Sequence, residues 1–151
     1  MYGRFQMKYI AFTGTRYGIT PAQLLSLEAF LPQYHQNGYE TLVHGACEGA
    51  DRAVHLHFRR LFAYDMWPSN QEQLGWALAH VDRSRDTIQH TYPPLERNEG
   101  IVDTGNLLVA VVRTPHEELR SGTWATVRYA RRMKKNRYLF QPDGAIVVEM
   151  S

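Results

Sequence analysis

Four short stretches set chemically capable side chains beside exposed backbone. Gly14-Thr15-Arg16 puts a hydroxyl and a cation next to a glycine. His44-Gly45-Ala46-Cys47-Glu48-Gly49-Ala50-Asp51 ends two closely spaced glycines in a carboxylate. Glu96-Arg97-Asn98-Glu99 groups an arginine with two acids. Ser121-Gly122-Thr123 brackets a glycine with two hydroxyls, where an apolar run gives way to a helical pattern. The first N–H groups of a helix lack internal partners and carry partial positive charge. A phosphate or other anion therefore suits Ser121, Gly122 and Thr123. The same residues also serve as an ordinary cap, with Ser121 bonding its own helix. Arg16 has the planar fork that suits a phosphate, and equally a surface ion pair.

These stretches need elements to hold them. Lys8 to Thr13 reads as a strand that leads into Gly14. Thr20-Pro21 is a helix start, with Thr20 as N-cap and Pro21 at the first helical position. Leu24, Leu27 or Glu28, and Leu31 give that helix its inner face, and Asn37-Gly38 ends it. Thr41 to His44 is a second strand, running into the Gly45–Gly49 loop. The next helix turns Val54, Phe58 and Leu61 inward. Ala63 to Trp67 is a third strand, stopped by Pro68, and Gln71 to His80 is a helix. Thr87 to His90 reads as a strand or an extended loop. A helix follows from Leu95 to Asp103. Leu107 to Val112 is a buried parallel strand, and Trp124, Val127, Ala130 and Met133 form the apolar stripe of the helix after it. Tyr138 to Phe140 is a strand, Pro142-Asp143-Gly144 a turn, and Ala145 to Glu149 a tail or a last strand that pairs antiparallel at an edge. Strands alternating with helices predict an α/β, Rossmann-like three-layer α/β/α fold with a mainly parallel sheet.

In such sheets, ligands bind beyond the C-terminal ends of the strands. The loops at Gly14, Gly45 and Ser121 all leave strands at that edge. Their convergence favours one phosphate-and-ribose site over three unrelated caps.

The composition narrows the classes. A chain of 151 residues with net charge +2 predicts one soluble domain over residues 1–151, with no global field that calls for DNA or a membrane. The single cysteine, Cys47, cannot form an internal disulfide, so a cytoplasmic setting is expected. No run approaches the roughly 20 apolar residues that span a bilayer, and Met1 to Lys8 contains no apolar core of a signal peptide. No Cys/His cluster has zinc spacing, and His44, His55 and His57 do not read as a ligand set, so no metal and no cofactor is expected. Arg128 to Arg137 gathers positive charge at a helix C-terminus, where it complements the dipole. A nucleic-acid patch is the alternative use of that run.

With these motifs in order, the chain resembles the SLOG superfamily, named for the DNA-processing and LOG (lonely guy) proteins. Gly14-Thr15-Arg16 looks like the family's first-strand Gly-Ser/Thr-Arg. His44 to Asp51 looks like its hydrophobic-Gly-x-x-x-Gly-Ala-Asp segment. Glu96-Arg97-Asn98 is similar to the Arg-Asn segment of small members, and Ser121-Gly122-Thr123 to the Gly-Thr that starts the phosphate-binding helix. The likeness spans about Lys8 to Phe140 and implies a Rossmann-like fold that binds nucleotides or their derivatives.

On that resemblance, the binding residues are Gly14, Thr15, Arg16, Gly45, Ala46, Gly49, Asp51, Arg97, Asn98, Ser121, Gly122, Thr123 and Trp124. The phosphate falls to Ser121, Gly122 and Thr123, and Asp51 holds ribose hydroxyls or organises its loop. Trp124 is expected to line the pocket. The phosphoribohydrolase branch has Pro-Gly-Gly-x-Gly-Thr-x-x-Glu at this helix. Here its glutamate falls on Thr126, and Glu117-Glu118-Leu119-Arg120-Ser121 replaces Pro-Gly-Gly. Three functions follow as expectations. The first is binding or sensing of a nucleotide-derived small molecule. The second is a phosphoribohydrolase acting on a nucleoside 5'-monophosphate, with Arg97 and Glu99 as catalytic candidates. The third is DNA binding. A homodimer or larger homo-oligomer is expected as well.

Overall fold

Apolar residues run unbroken along the central strands, so both faces of the sheet are covered and two cores form. The computed structural model describes residues 6–151, so the Met1–Lys8 reading lies largely outside the described residues. The sheet has seven strands: β1 (Lys8–Gly14), β2 (Tyr39–His44), β3 (Ala63–Met66), β4 (Thr87–Ile88), β5 (Leu107–Val111), β6 (Asn136–Phe140) and β7 (Ile146–Glu149). Their order is β4-β3-β2-β1-β5-β6-β7, parallel throughout except for the antiparallel β6–β7 pair at one edge. The helices are α1 (Pro21–Gln36), α2 (Ala50–His57), α3 (Gln71–His80), α4 (Pro94–Thr104) and α5 (Gly122–Arg132).

Successive strand residues point to opposite faces. Ile10, Phe12, Leu107, Val109 and Val111 face a core shared with Leu27 and Leu31 of α1, Val54 of α2 and Ala77 of α3. Ala11, Leu108, Ala110 and Val112 face the other core, with Ile101 and Val102 of α4 and Trp124, Val127 and Ala130 of α5. The result is the expected three-layer, Rossmann-like α/β fold.

The start of α1 follows from its sequence. Thr20 and Gln23 form a reciprocal capping box, and Pro21 takes the first helical position. The inner face departs from expectation. Gln23 is buried, Leu24 only half so, and Glu28 is exposed. Gln23 tolerates burial because Nε2 donates to the carbonyls of Val112 and Phe140, both at 2.9 Å, tying α1 to β5 and β6.

Met133 is a second correction. It lies past the last turn of α5 and is exposed, because the backbone turns left-handed at Lys134 (φ 57°) and the helical period ends there.

Candidate functional site

The parallel register brings the expected loops together. Gly14 of β1 pairs with Val111 of β5, and Ala11 with Val43 of β2. The chain therefore leaves all three strands at the same edge, where a cavity of about 460 Å³ opens. Its walls include Gly14, Thr15 and Arg16 from the β1–α1 loop, and Gly45 and Asp51 from the β2–α2 segment. Arg97 and Asn98 of α4 and Ser121, Gly122 and Thr123 at the start of α5 complete the set.

Ser121 is the N-cap of α5, and its Oγ accepts from the Trp124 N–H at 3.2 Å. The N–H groups of Gly122 and Thr123 have no hydrogen-bond partner among the described residues, and both residues line the cavity. Nothing lies within 4 Å of where a Gly122 side chain would begin, so the helix end is open. Both cap and anion reading therefore coexist: the cap uses one N–H, and others remain.

Asp51 lies beneath the Gly45 loop. One carboxylate oxygen, Oδ2, accepts from the N–H groups of Gly45 (3.0 Å) and Cys47 (3.2 Å). The other, Oδ1, is buried without a partner among the described residues. Burial pushes this carboxyl up to about 6, against the opposing pull of Arg97. Cys47, which also lines the cavity, has its thiol pushed up to about 12 by burial and then by Asp51. That makes it a poor nucleophile.

Arg97 is clamped. It is only 6% exposed. Its Nη1 donates to the carbonyls of Gly45 and Trp67 (both 3.1 Å) and to Gln73 Oε1 (3.0 Å), and its Nε to Asn98 Oδ1 (2.8 Å). Gly45 must be glycine for this approach, since a Cβ there would lie 2.6 Å from Nη1. Gly49 has φ 97°, and a Cβ on it would strike the backbone of Arg16. Gly49 therefore props the Arg16 segment without lining the cavity.

Besides Gly49, three of the expected residues fall elsewhere. Trp124 is buried in the core between α5 and the sheet and does not line the cavity, because Gly122 and Thr123 occupy the turn that faces it. Ala46 is buried, with φ 56°, and its N–H donates to His44 Nδ1 at 2.9 Å. Glu99 points into a separate groove of about 130 Å³ between α4 and α5, beside Arg128 and Tyr129. Thr126 is also buried, and its hydroxyl donates back to the Gly122 carbonyl at 2.9 Å.

His44 at the end of β2 and His55 of α2 meet, Nε2 to Nδ1 at 2.8 Å. The pair is sealed in, and burial holds both rings below the usual histidine value, His55 at about 4. No group of three or more metal-ligating side chains forms among the described residues.

The sequence reading missed Tyr17, Arg113 and Arg120, which also line the cavity. Position was the available signal: Tyr17 follows Arg16, and Arg113 stands just past β5 at the binding edge. With Arg16 and Arg97, four arginines surround the space. Glu118 is the acid that answers them, at 2.8 Å from Arg113. Three arginines of the basic stretch at the helix end, by contrast, are internally engaged. Arg128 and Arg131 pair with Glu117, and Arg131 and Arg137 with Glu149.

No helix among the described residues is long and apolar enough to cross a membrane. No protein-family model matches the chain, and no curated protein matches it. Among solved structures, the chain is similar to DNA processing protein A from Helicobacter pylori, described for its single-stranded DNA binding mode. The TM-score is 0.63 and the identity 14%, over 88% of this chain and 65% of that one. The chain thus spans about 65% of that neighbour, and the two share a Rossmann-like fold.

Proposed function

We propose that this chain is a SLOG-type protein that binds a phosphate-bearing, nucleotide-derived small molecule in the cavity at the C-terminal edge of the sheet. One observation carries the reading. Four arginines surround a helix start whose free N–H groups open into the same space. An anion is favoured there by guanidinium forks, by unsatisfied N–H groups and by the helix dipole together. The phosphate lies on Ser121, Gly122 and Thr123, with Arg16, Arg113 and Arg120 around it. Arg97 and Asp51 shape the wall.

A second reading is single-stranded nucleic acid in the same cavity. The observation in its favour is the fold shared with DNA processing protein A, whose structure is described for that binding mode. The strand would run through the cavity rather than over the basic end of α5, where Arg128 and Arg131 are engaged in ion pairs.

Two measurements test this. Mass spectrometry of small molecules released on denaturation identifies a co-purified nucleotide. Calorimetry then compares AMP and ADP-ribose with a thymidine oligonucleotide at two salt concentrations. The small-molecule reading expects saturable nucleotide binding; oligonucleotide binding alone, falling steeply with salt, favours the second reading. Binding of neither overturns both.

A further inference from the structure

The mouth of the cavity carries a large aromatic ring that the phosphate site does not use. Tyr17 lies in the β1–α1 loop, lines the cavity, and is 67% exposed. Exposed tyrosines are ordinary, but this one is held in place from two separate elements. The guanidinium carbon of Arg16 lies 5.3 Å from its ring centroid and that of Arg113, beyond β5, lies 5.2 Å from it. Arg16 Nη2 donates to the phenol oxygen at 3.3 Å, and the Tyr17 N–H donates to Thr15 Oγ1 at 3.2 Å. Glu118 fixes Arg113 from behind. The ring is therefore pre-set in orientation while most of its surface stays open to solvent.

An aromatic ring beside two guanidinium groups, at the lip of a basic cavity, has the chemistry of a stacking platform for single nucleotides or strands. The cations draw the phosphate, and the ring offers a flat apolar face to whatever planar group is attached to it. With both guanidinium groups against it, Tyr17 still keeps 67% of its surface exposed, more than steadying two arginines requires.

We propose that Tyr17 is the base-stacking residue of this site: the nucleobase of a bound nucleotide lies on the Tyr17 ring at the cavity mouth, with its phosphate inward at Ser121–Thr123. This inference rests on the phosphate-site reading above and adds the ligand's second half. A stack reads a face that every base possesses, so the site takes purines better than pyrimidines and excludes neither.

The test is calorimetry of the full chain with ribose 5-phosphate, AMP and CMP, for wild type, Tyr17→Ala and Tyr17→Phe, with thermal unfolding to confirm that each variant is folded. The wild type is expected to bind AMP about tenfold or more tighter than ribose 5-phosphate. Tyr17→Ala should erase that advantage while changing ribose 5-phosphate affinity less than about twofold, and Tyr17→Phe should keep it. Unchanged AMP affinity in Tyr17→Ala overturns the stacking role. An equal loss for both ligands also overturns it, since the ring then only positions Arg16 and Arg113. Wild type that binds AMP only as tightly as ribose 5-phosphate overturns the stack and leaves the phosphate site standing. Wild type that binds no phosphate ligand overturns the phosphate-site reading, and the stack with it.

Discussion

Arg97 is pressed against the backbone of Gly45, its Nη1 donating to the Gly45 carbonyl oxygen at 3.1 Å across 52 residues of chain. The same nitrogen serves Trp67 and Gln73. This arginine binds the ends of β2 and β3 to α4, so its first duty is to hold the wall of the cavity. Removing it strands buried acceptors. Arg97→Ala is expected to destabilise the protein by on the order of 3 kcal/mol. Arg97→Lys should recover little, because an ammonium cannot reproduce the fork. Urea denaturation measures both; an unshifted midpoint for Arg97→Ala would show the clamp to be idle.

Gly122 and Gly49 should respond oppositely to substitution. Gly122 faces open space at the first turn of α5, and an acid there is favoured by the helix dipole. Gly122→Asp should therefore fold with unchanged or slightly higher stability while losing nucleotide binding, because the carboxylate repels phosphate. Gly49→Ala forces a Cβ into the Arg16 backbone at φ 97° and should cost roughly 2 kcal/mol or more. Calorimetry and thermal melts on the two variants decide the matter, and a folded Gly122→Asp protein with full affinity would remove the anion site from α5.

Asp51 makes stability depend on pH in a direction opposite to that of most carboxylates. Burial raises its folded value from 3.8 to about 6, so the folded state holds the proton more tightly than the unfolded chain does. The stabilising effect of protonation is complete below about pH 4 and is lost as pH rises through 6. Asp51→Asn removes this titration. The stability of Asp51→Asn relative to wild type should thus grow by on the order of 3 kcal/mol between pH 4 and pH 7. A difference that stays flat across that range would mean that Asp51 is ionised in the fold as easily as in water.

AMP should not be hydrolysed at an ordinary enzymatic rate. The carboxylates on the cavity wall are Asp51, with Oδ2 held by two backbone N–H groups, and Glu118, paired with Arg113. Thr126, on the buried face of α5, is 1% exposed, so Thr126→Glu should bury a carboxylate and lower stability rather than supply a catalyst. Loss of a positioned acid or base typically costs about 10²–10⁴-fold in rate. Chromatography of AMP with excess protein over hours is the assay, and free adenine released within seconds would refute the expectation.

The binding edge is legible in the sequence because glycines mark the ends of β1 and β2, and the loop after β5 leads to a helix-starting hydroxyl at Ser121. Parallel pairing then puts those ends side by side. Gly14, Gly45 and Ser121 are legible that way, whereas Asp51 and Arg97 rest on the family resemblance. The rest depended on information no local pattern holds. Trp124 sits one position beyond Thr123, and that step of about 100° along α5 turns it from the cavity to the core. Glu99 lies two residues after Arg97 on α4 and so faces a different groove. The contact of His44, at the end of β2, with His55 of α2 is likewise invisible in their spacing. Tyr17 and Arg113 come from loops 96 residues apart in number, and their meeting is a product of the β1–β5 pairing.

The seating of Gly49 on the Arg16 backbone has a kinetic meaning. The Ala50 N–H also donates to the Thr15 carbonyl at 3.0 Å, so the β1–α1 loop and the start of α2 are bolted together before any ligand arrives. Neither half of that wall can swing open alone. Encounter with a nucleotide should then proceed as a single exponential whose rate rises linearly with concentration, set by diffusion and by the field of the four arginines, with no slower closing step behind it.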